Sequence, residues 1–337
     1  MEMSSLGIDL GGAHTKAVLM EGGRVKASLL RYLPLWKERE RVGDLLRELE
    51  RWGPERVGVV MTGELADVFE TREEGVKELA REVWGVWEGK ALFLTLGGEL
   101  VGMRRVLSDP LSVAASNWVA SGLVVARDFP DSLLVDVGST TTDLIPLVGG
   151  RVANLGSTDF QRLKRGELVY TGVIRTPVSC VLGEVEGIGM AAENFAVMGD
   201  VYLLLGKLNP KEYTCETPDG RGKDVKSCER RLARVFCSDP EEVGRNFLRK
   251  CARILHRKQV EKVAEKMGKV KERYGLEGCP VVVTGVGRKI VGREAALRAG
   301  FKKVVDLGRI WGEEAALMTP AFSMGKLVEE VVGRMPW

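Results

Sequence analysis

Short apolar runs separated by turn-forming residues dominate the first part of the chain, and amphipathic helical periodicity follows them. This pattern predicts a mixed succession of strands and helices. The predicted strands lie at about 5–10, 15–21, 24–31, 57–62 and 91–96, and the predicted helices at about 39–51, 72–84 and 111–126. Alternation of this kind is typical of an α/β fold.

The second part of the chain shows a similar order with more helix. Strands are predicted at 133–147, 151–156, 168–174, 281–284 and 303–306, and helices at 190–205, in the basic stretch up to 273, and at 313–332. The stretch Ser157-Thr-Asp159 is a candidate N-cap for a short helix from Asp159 to Gly166. Two successive strand-rich regions predict two lobes in a chain of this length.

Two strand–turn–strand segments repeat each other across these regions. GIDLGGAHTK covers residues 7–16 and VDVGSTTTD covers residues 135–143, and Asp9 aligns with Asp136 at a constant offset of 127. Both read as hairpins, whose tips we call loop 1 (residues 11–14) and loop 2 (residues 138–141). A repeat spaced by about one domain length favours two related lobes with facing tips.

The residue types at these tips suit a phosphate chain. Glycine lets backbone N–H groups approach an anion, hydroxyls of Ser and Thr add donors, and an aspartate at a strand end can hold a hydrated divalent cation. For either loop alone, an ordinary glycine-turned hairpin is an equal alternative. The duplication favours phosphate binding.

Composition limits the other classes of function. Lys and Arg number 50 against 47 Asp and Glu, so the net charge of +3 predicts neither nucleic-acid nor membrane binding. With no leader-like segment and six cysteines, we expect a cytoplasmic protein with reduced thiols. Five Asn and two Gln beside 29% charged residues favour a thermophilic source.

Six longer segments carry a family resemblance. They are GIDLGGAHTKAVL, VVMTGELADVF, LLVDVGSTTTDLIPL, TDFQRLKRGELVYTGVIRTP, ENFAVMGDVYLLLG and YTCETPDGR. The chain resembles the hydantoinase A/oxoprolinase-like branch of the actin/sugar kinase/Hsp70 ATPase superfamily, in which the methanofuran-biosynthesis condensing enzymes are found. The resemblance implies a two-lobed actin-like/ribonuclease H-like ATPase fold with a helical insertion in the second lobe.

The same resemblance implies lobe boundaries. Residues 1–130 would form the first lobe, with a C-terminal helix at 312–337 packing near the lobe interface. Residues 131–311 would form the second, with the helical insertion at about 185–275. A homodimer is compatible with the sequence, and a methanogenic archaeon is the expected host.

The implied reaction joins an aminomethyl-furanmethanol diphosphate to the phenol of tyramine or γ-glutamyltyramine and releases pyrophosphate, with Mg²⁺ as cofactor. An ATP-dependent kinase or hydantoinase-like amidohydrolase is the first alternative, and an actin-like scaffold is the second. Two residues favour a substrate diphosphate over ATP as the bound ligand. Arg288, in the late Gly-x-Gly turn, could place a cation in the adenine slot, and Lys16 stands where hydantoinase-type proteins usually have an acid.

Site residues are assigned on this basis. Metal binding is expected at Asp9 and Asp136, and the phenol requires a base or a cation, for which the candidates are Asp143, Glu64 and Lys16. Both acids have helix-cap or salt-bridge roles as equal alternatives, and Glu64 could instead bind the substrate's ammonium. The diphosphate is assigned to Gly11, Gly12, His14, Thr15, Gly138, Ser139, Thr140, Thr141, Thr142 and Arg175.

Three further groups have weaker signals. Arg162, Lys164 and Arg165 could form a second basic wall, but a solvated helix face is favoured. Glu193 and Asp200, seven apart on the predicted helix 190–205, suit an amine, a metal or two salt bridges. A zinc site is a minor alternative for Cys215, Cys228, Cys237, Cys251 and His256, whose spacing lacks Cys-x-x-Cys.

Overall fold

The computed structural model describes residues 3–332 of the chain, which divide into two compact units. The first unit comprises the described residues of Met1–Asp131, Leu147–Gln161 and Leu307–Trp337. The second comprises Ser132–Pro146 and Arg162–Asp306. No helix within residues 3–332 is long and apolar enough to cross a membrane.

Each unit is built on a sheet whose central strands are almost completely buried. The strands are β1 (Ser4–Leu10), β2 (His14–Glu21), β3 (Arg24–Tyr32), β4 (Arg56–Met61), β5 (Ala91–Leu94), β6 (Leu100–Val101), β7 (Ser132–Val137), β8 (Thr142–Val148), β9 (Arg151–Val152), β10 (Leu168–Val169), β11 (Glu184–Val185), β12 (Ile188–Gly189), β13 (Val281–Thr284) and β14 (Val304–Asp306). The continuous apolar sequences of β1, β4, β7 and β13 are typical of strands buried on both faces.

The two large sheets have the same strand order, which extends the sequence repeat to the topology. The first runs β3-β2-β1-β4-β5-β6 and the second β10-β8-β7-β13-β14. In the first sheet β1 is antiparallel to β2 and parallel to β4, and in the second β7 is parallel to β13, which is parallel to β14. Loops 1 and 2 therefore occupy equivalent positions, at the end of each sheet's first strand.

Helices cover these sheets. They are α1 (Leu35–Glu38), α2 (Val42–Glu50), α3 (Arg72–Val86), α4 (Met103–Ser108), α5 (Asn117–Asp128), α6 (Asp159–Arg165), α7 (Met198–Leu204), α8 (Val225–Arg234), α9 (Pro240–Val243), α10 (Arg245–Arg273), α11 (Arg293–Arg298), α12 (Glu313–Leu317) and α13 (Thr319–Val332). Helix α13 packs on β1 within the first unit. The part of the predicted helix 312–337 beyond residue 332 lies outside the described residues.

Three predicted elements differ from the structure. The helix predicted at 111–126 begins only at Asn117, because Ala115, between the 3-10 turn Pro110–Ser112 and the helix, adopts a left-handed φ of 50° that interrupts helical geometry. The helix predicted at 190–205 is limited to α7, because residues 192–195 form bends and turns and Val197 is extended in a β-bridge with Pro177. Within the predicted capping segment Ser157-Thr-Asp159, the hydroxyl of Thr158 accepts the capping hydrogen bond from the Gln161 N–H.

The strand predicted at 168–174 is the third difference. It ends at Val169, after which the backbone turns away from the sheet. The polar groups of Thr171 and Gly172 bond to side chains instead of to a neighbouring strand, and the hydroxyl of Thr142 donates to the Thr171 carbonyl at 2.8 Å. Side-chain partners thus replace the expected ladder.

Candidate functional site

Loops 1 and 2 contain the same turn. The Gly11 N–H donates to the His14 carbonyl at 3.0 Å, and at the equivalent positions the Gly138 N–H donates to the Thr141 carbonyl at 2.9 Å. A side chain at Gly11 would meet the His14 carbonyl oxygen at 2.6 Å, so glycine is required there. The repeat in sequence is therefore also a repeat in backbone geometry.

Backbone hydrogen bonds orient the peptides of both tips. In loop 1 the Gly12 carbonyl accepts from the Leu35 N–H at 2.9 Å. In loop 2 the Ser139 carbonyl accepts from the Arg175 N–H at 2.9 Å. Because a trans peptide places its N–H opposite its carbonyl, the N–H groups of Ala13 and Thr140 point away from these donors.

Four of these amides are free to bind an anion. Within residues 3–332, the N–H groups of Gly12, Ala13, Ser139 and Thr140 donate to no protein acceptor. Successive free N–H groups form a concave donor site of the kind that binds phosphate oxygens. Among the predicted ligands, Gly12, Ser139 and Thr140 therefore have free amides, whereas the N–H groups of Gly11 and Gly138 are used within the turns. Ala13, which was not among the predicted ligands, also has a free amide.

Next to loop 1, the carboxylate of Asp9 forms an ion pair with Lys16. Lys16 is the direct cross-strand partner of Asp9, and its Nζ lies 3.1 Å from Asp9 Oδ2. The other oxygen, Oδ1, is buried and has no hydrogen-bond partner. The ring of His14 packs against that of Tyr32, with 5.3 Å between their centroids. Loop 1 therefore combines free amides with an ammonium group.

Loop 2 carries an acid at the position equivalent to Lys16. Asp143 accepts a hydrogen bond from Arg162 at 2.7 Å, and Arg162 is only 1% exposed. The prediction that Arg162 lies on a solvated helix face is wrong, because it is the buried counter-ion of Asp143, whereas Lys164 and Arg165 are exposed as predicted. Asp143 thus has the structural salt-bridge role that was one of its two alternatives.

The predicted hydroxyl and arginine ligands of loop 2 differ in burial and in whether their polar groups are already hydrogen-bonded. Arg175 is half-buried, and its Nη1 donates to the Thr140 hydroxyl at 3.2 Å, so it lies at the tip. Thr142 is fully buried and its hydroxyl is used by the Thr171 carbonyl, so its assignment to the diphosphate is wrong. Thr15, at the equivalent position in loop 1, is also buried.

Glu64 is a buried carboxyl beside loop 1. It lies in a 3-10 turn after β4 and is 2% exposed, and the preceding Gly63 packs against Gly12. Burial raises the pKa of Glu64 to about 7, even though Arg72, 3.4 Å from Oε1, lowers it. Oε2 is buried without a hydrogen-bond partner. A carboxyl that titrates near neutral pH can accept or donate a proton at working pH.

The late Gly-x-Gly turn contacts loop 2's strand closely. A side chain at Gly285, whose φ is +83°, would lie 2.3 Å from Asp136 Oδ1. Arg288 is buried and donates to Asp306 at 2.9 Å and to the Gly285 carbonyl at 3.0 Å. The prediction that Arg288 presents a cation to an adenine slot is therefore wrong, because the guanidinium is buried and pairs with Asp306 at the end of β14.

The residues present fit a divalent cation only in part. Among the described residues, no group of three or more His, Cys, Asp or Glu side chains could hold a metal ion. Lys16 already neutralises Asp9, whereas the residue seven positions after Asp136 is Asp143, which pairs with Arg162. Mg²⁺ commonly binds to one carboxylate together with substrate phosphates. Asp136 fits that arrangement and Asp9 fits it less well.

The remaining predicted site residues include side chains that contact other parts of the protein. Asp200 is buried and pairs with the fully buried Arg231 at 2.6 Å, while Glu193 is exposed and lies outside any helix. Their assignment to one helix face is wrong. Cys215, Cys228 and Cys251 are buried and Cys237 is exposed, and His256 contacts Glu294 at 3.0 Å.

A buried polar cluster supports loop 2 from behind. A side chain at Gly172 would lie 2.4 Å from the Thr140 nitrogen, so Gly172 packs directly on the Ser139–Thr140 peptide. Gln259 of α10 is 1% exposed and donates to the Gly172 carbonyl at 2.8 Å. The sequence analysis missed both residues, although Gln259 stands between Leu255 and Val263 on an apolar helix stripe.

Comparison with known proteins gives one family and a relative that aligns over nearly the whole chain. A sequence model described as hydantoinase/oxoprolinase matches residues 55–310. The chain is 37% identical over 335 residues, 98% of this chain and 99% of the relative, to a Methanocaldococcus jannaschii protein named (4-{4-[2-(gamma-L-glutamylamino)ethyl]phenoxymethyl}furan-2-yl)methanamine synthase. It is 32% identical to a Methanococcus vannielii protein of the same name, over 58% of this chain and 90% of that one.

Solved structures agree on the fold at low sequence identity. A nucleotide-free acetone carboxylase has a TM-score of 0.54 at 10% identity, covering 96% of this chain and 69% of that chain. The ethanolamine utilization protein EutJ from Carboxydothermus hydrogenoformans has a TM-score of 0.50 at 15% identity, covering 96% and 89%. The predicted actin-like ATPase fold is confirmed.

Proposed function

We propose that this chain, which belongs to the hydantoinase/oxoprolinase family and within it to the branch of methanofuran-biosynthesis synthases, is a transferase that forms an aryl ether. Its substrates would be 5-(aminomethyl)-3-furanmethanol diphosphate and the phenol of tyramine or γ-glutamyltyramine. The observation that carries the proposal is the 37% identity over 98% of the chain to a synthase whose named product contains that phenoxymethyl-furan ether.

The reaction balances without a nucleotide. The phenol loses its proton to a base, its oxygen bonds to the furanylmethyl carbon, and the bond from that carbon to the diphosphate breaks with its electron pair on the leaving oxygen. Most of the barrier lies in that departure, so donors aimed at the leaving group should contribute most to the rate.

The loop amides support the diphosphate assignment. Loop 2 offers the N–H groups of Ser139 and Thr140 beside Arg175, and loop 1 offers those of Gly12 and Ala13 with the Lys16 ammonium nearby. These are the donor types that bind phosphate oxygens without themselves reacting. When bound with the diphosphate, Mg²⁺ at Asp136 would neutralise part of its charge.

Glu64 is the better of the two proposed bases. A phenol has a pKa of about 10, so a base with a pKa near 7 accepts its proton more readily than an ordinary carboxylate does. Burial gives the Glu64 carboxyl such a pKa and leaves Oε2 free. The Asp143 carboxylate already accepts a hydrogen bond from the buried Arg162 guanidinium at 2.7 Å, so Arg162 competes with a phenol for its lone pairs.

The experiment that tests this function is an assay of both products. The purified protein is incubated with Mg²⁺, tyramine or γ-glutamyltyramine and the furan diphosphate, with and without ATP, and ether and pyrophosphate are measured by mass spectrometry. We expect equal amounts of both without ATP. ADP formation with no ether would instead support the kinase or amidohydrolase alternative.

A further inference from the structure

The surroundings of Gln259 suggest a function for a residue far along the chain from either loop. Gln259 is one of two glutamines in the sequence and lies on the buried face of α10, whose other buried side chains are apolar or cysteine. A buried amide has a cost unless its donors and acceptor are all used. Gln259 meets that condition through groups that contact loop 2.

The amide has one orientation that satisfies its neighbours. Its Nε2 donates to the Gly172 carbonyl at 2.8 Å and to the Thr171 hydroxyl at 2.7 Å. A carbonyl can only accept, so the Nε2 group must face it, and Oε1 is left to accept from the Tyr202 hydroxyl. Tyr202 in turn contacts His256 Nδ1 at 3.3 Å.

The backbone held by Gln259 is the one that orients loop 2. Gly172 packs on the Ser139–Thr140 peptide, and the next three N–H groups donate to loop 2 carbonyls: Val173 to Gly138 at 3.1 Å, and Ile174 and Arg175 to Ser139 at 3.1 and 2.9 Å. These bonds turn the Ser139 and Thr140 amides outward. Any movement of residues 171–175 would therefore re-aim those two donors.

We propose that Gln259 is a positioning residue for phosphate binding: through the Gly172 carbonyl it fixes the segment that aims the free amides of loop 2 at the diphosphate. This inference rests on the proposed function. Gln259 touches no phosphate itself, so its removal should weaken anion affinity without removing a ligand.

The test is pyrophosphate binding, measured by calorimetry on the full chain with Mg²⁺. Gln259→Leu removes both donors, and we expect the Kd for pyrophosphate to rise about tenfold or more, the scale set by displacing a hydrogen-bonded group. Tyr202→Phe removes only the outer hydrogen bond, so a smaller rise is expected. Val263→Ala, a buried change one turn along the same helix, is the control, with the Kd unchanged at a similar loss of Tm.

Gln259→Glu gives a readout that a general packing role would not give. The introduced carboxyl can donate to the Gly172 carbonyl only when it is protonated. The ratio of its Kd to that of the unchanged protein should therefore be near one at low pH and rise with pH. Tyr202, His256 and Glu294 are the titratable groups along this chain of contacts, and Lys207 pairs with Glu294, so all four remain unchanged in both proteins.

The outcomes separate the two proposals. If the unchanged protein does not bind pyrophosphate, the proposed function fails and this inference fails with it. If the unchanged protein binds and Gln259→Leu and Gln259→Glu bind equally well at every pH, only the inference is overturned. Should Gln259→Leu not fold, the Gln259→Glu and Tyr202→Phe proteins decide the matter.

Discussion

Loops 1 and 2 share one backbone and differ in almost everything around it. Each has a glycine N–H bonded three residues ahead, two free amides and an aspartate at the end of the preceding strand. Seven residues after that aspartate, loop 1 has Lys16 and loop 2 has Asp143. The geometry for holding an anion is duplicated, whereas the charge beside it is reversed.

The difference extends to what supports each loop. Loop 1 is backed by the apolar residues Leu33 and Leu35, whose N–H groups bond its carbonyls. Loop 2 is backed by Gly172 and its polar neighbours, which depend on Gln259. Backbone geometry alone thus does not determine the role of a loop. Loop 1 has a buried carboxyl and an ammonium group near its free amides, whereas the free amides of loop 2 have an arginine and a polar support.

Replacing Glu64, the acid beside loop 1, should reduce turnover more than the other changes described below. Glu64→Gln should lower kcat by about 100-fold to 10,000-fold, the usual contribution of a general base, with pyrophosphate affinity unchanged. Steady-state kinetics and calorimetry measure the two quantities. Glu73→Gln, an exposed change on α3, is the matched control. Normal turnover in Glu64→Gln would remove Glu64 from the mechanism.

The next effect comes from giving loop 1 the charge of loop 2. Lys16→Asp would place two carboxylates opposite each other, since Lys16 pairs directly with Asp9. We expect kcat/KM to fall by about 100-fold, as for loss of one transition-state donor, and pyrophosphate affinity to fall with it.

Lys26→Asp makes the same charge change at an exposed position of β3 and should leave kcat/KM nearly unchanged. Equal losses in both variants would show that overall charge, rather than loop 1, controls the reaction. Full activity in Lys16→Asp would exclude the ammonium from diphosphate binding.

At loop 2, replacing Asp143 should mainly lower the free energy of unfolding of the protein. Asp143→Asn leaves the buried Arg162 guanidinium without its counter-ion, which should lower the free energy of unfolding by about 3 kcal/mol. Urea titration measures this loss. Asp109→Asn, which breaks an exposed pair with Arg105, should cost less than about 1 kcal/mol. Similar losses for the two variants would contradict the buried ion pair.

Glu64 should also make the stability of the folded protein depend on pH. Its pKa is raised in the folded protein from 4.5 to about 7. The stability from its protonation is therefore complete below about pH 4.5 and is lost as the pH rises through 7, up to roughly 3 kcal/mol.

Urea titrations between pH 4.5 and 8 should show this loss in the unchanged protein. In Glu64→Gln, which cannot ionise at this position, we expect the corresponding fall in stability to be absent. Parallel curves for the two proteins would mean that Glu64 titrates normally.

Much of the fold follows from local sequence signals. The strands that carry loops 1 and 2 and the late strand β13 lie close to their predicted positions, because continuous apolar runs and glycine turns specify them locally. Only residues 198–204 of the predicted helix at 190–205 are helical, since the bridge between Pro177 and Val197 that precedes them cannot be read from local periodicity.

The sequence motifs indicate which backbone amides belong to the candidate site. They do not indicate which polar side chains around it are buried. Gly12, Ser139 and Thr140 follow from the repeat itself. The burial of Arg162 depends on its meeting Asp143, 19 residues away, and a charge run gives no sign of that. Gln259 acts through Gly172, 87 residues away, and only its place on an apolar stripe singles it out.

An isotope label in the phenol oxygen distinguishes displacement of the diphosphate from ATP-dependent phosphoryl transfer. The acceptor phenol is labelled with ¹⁸O and incubated with the protein, Mg²⁺, the furan diphosphate and ATP, and the products are analysed by mass spectrometry. We predict that the label remains in the ether, with unlabelled pyrophosphate released and ATP intact. Label in a phosphorylated acceptor, with ADP formed and no ether, would contradict diphosphate displacement and identify an ATP-dependent phosphoryl transfer.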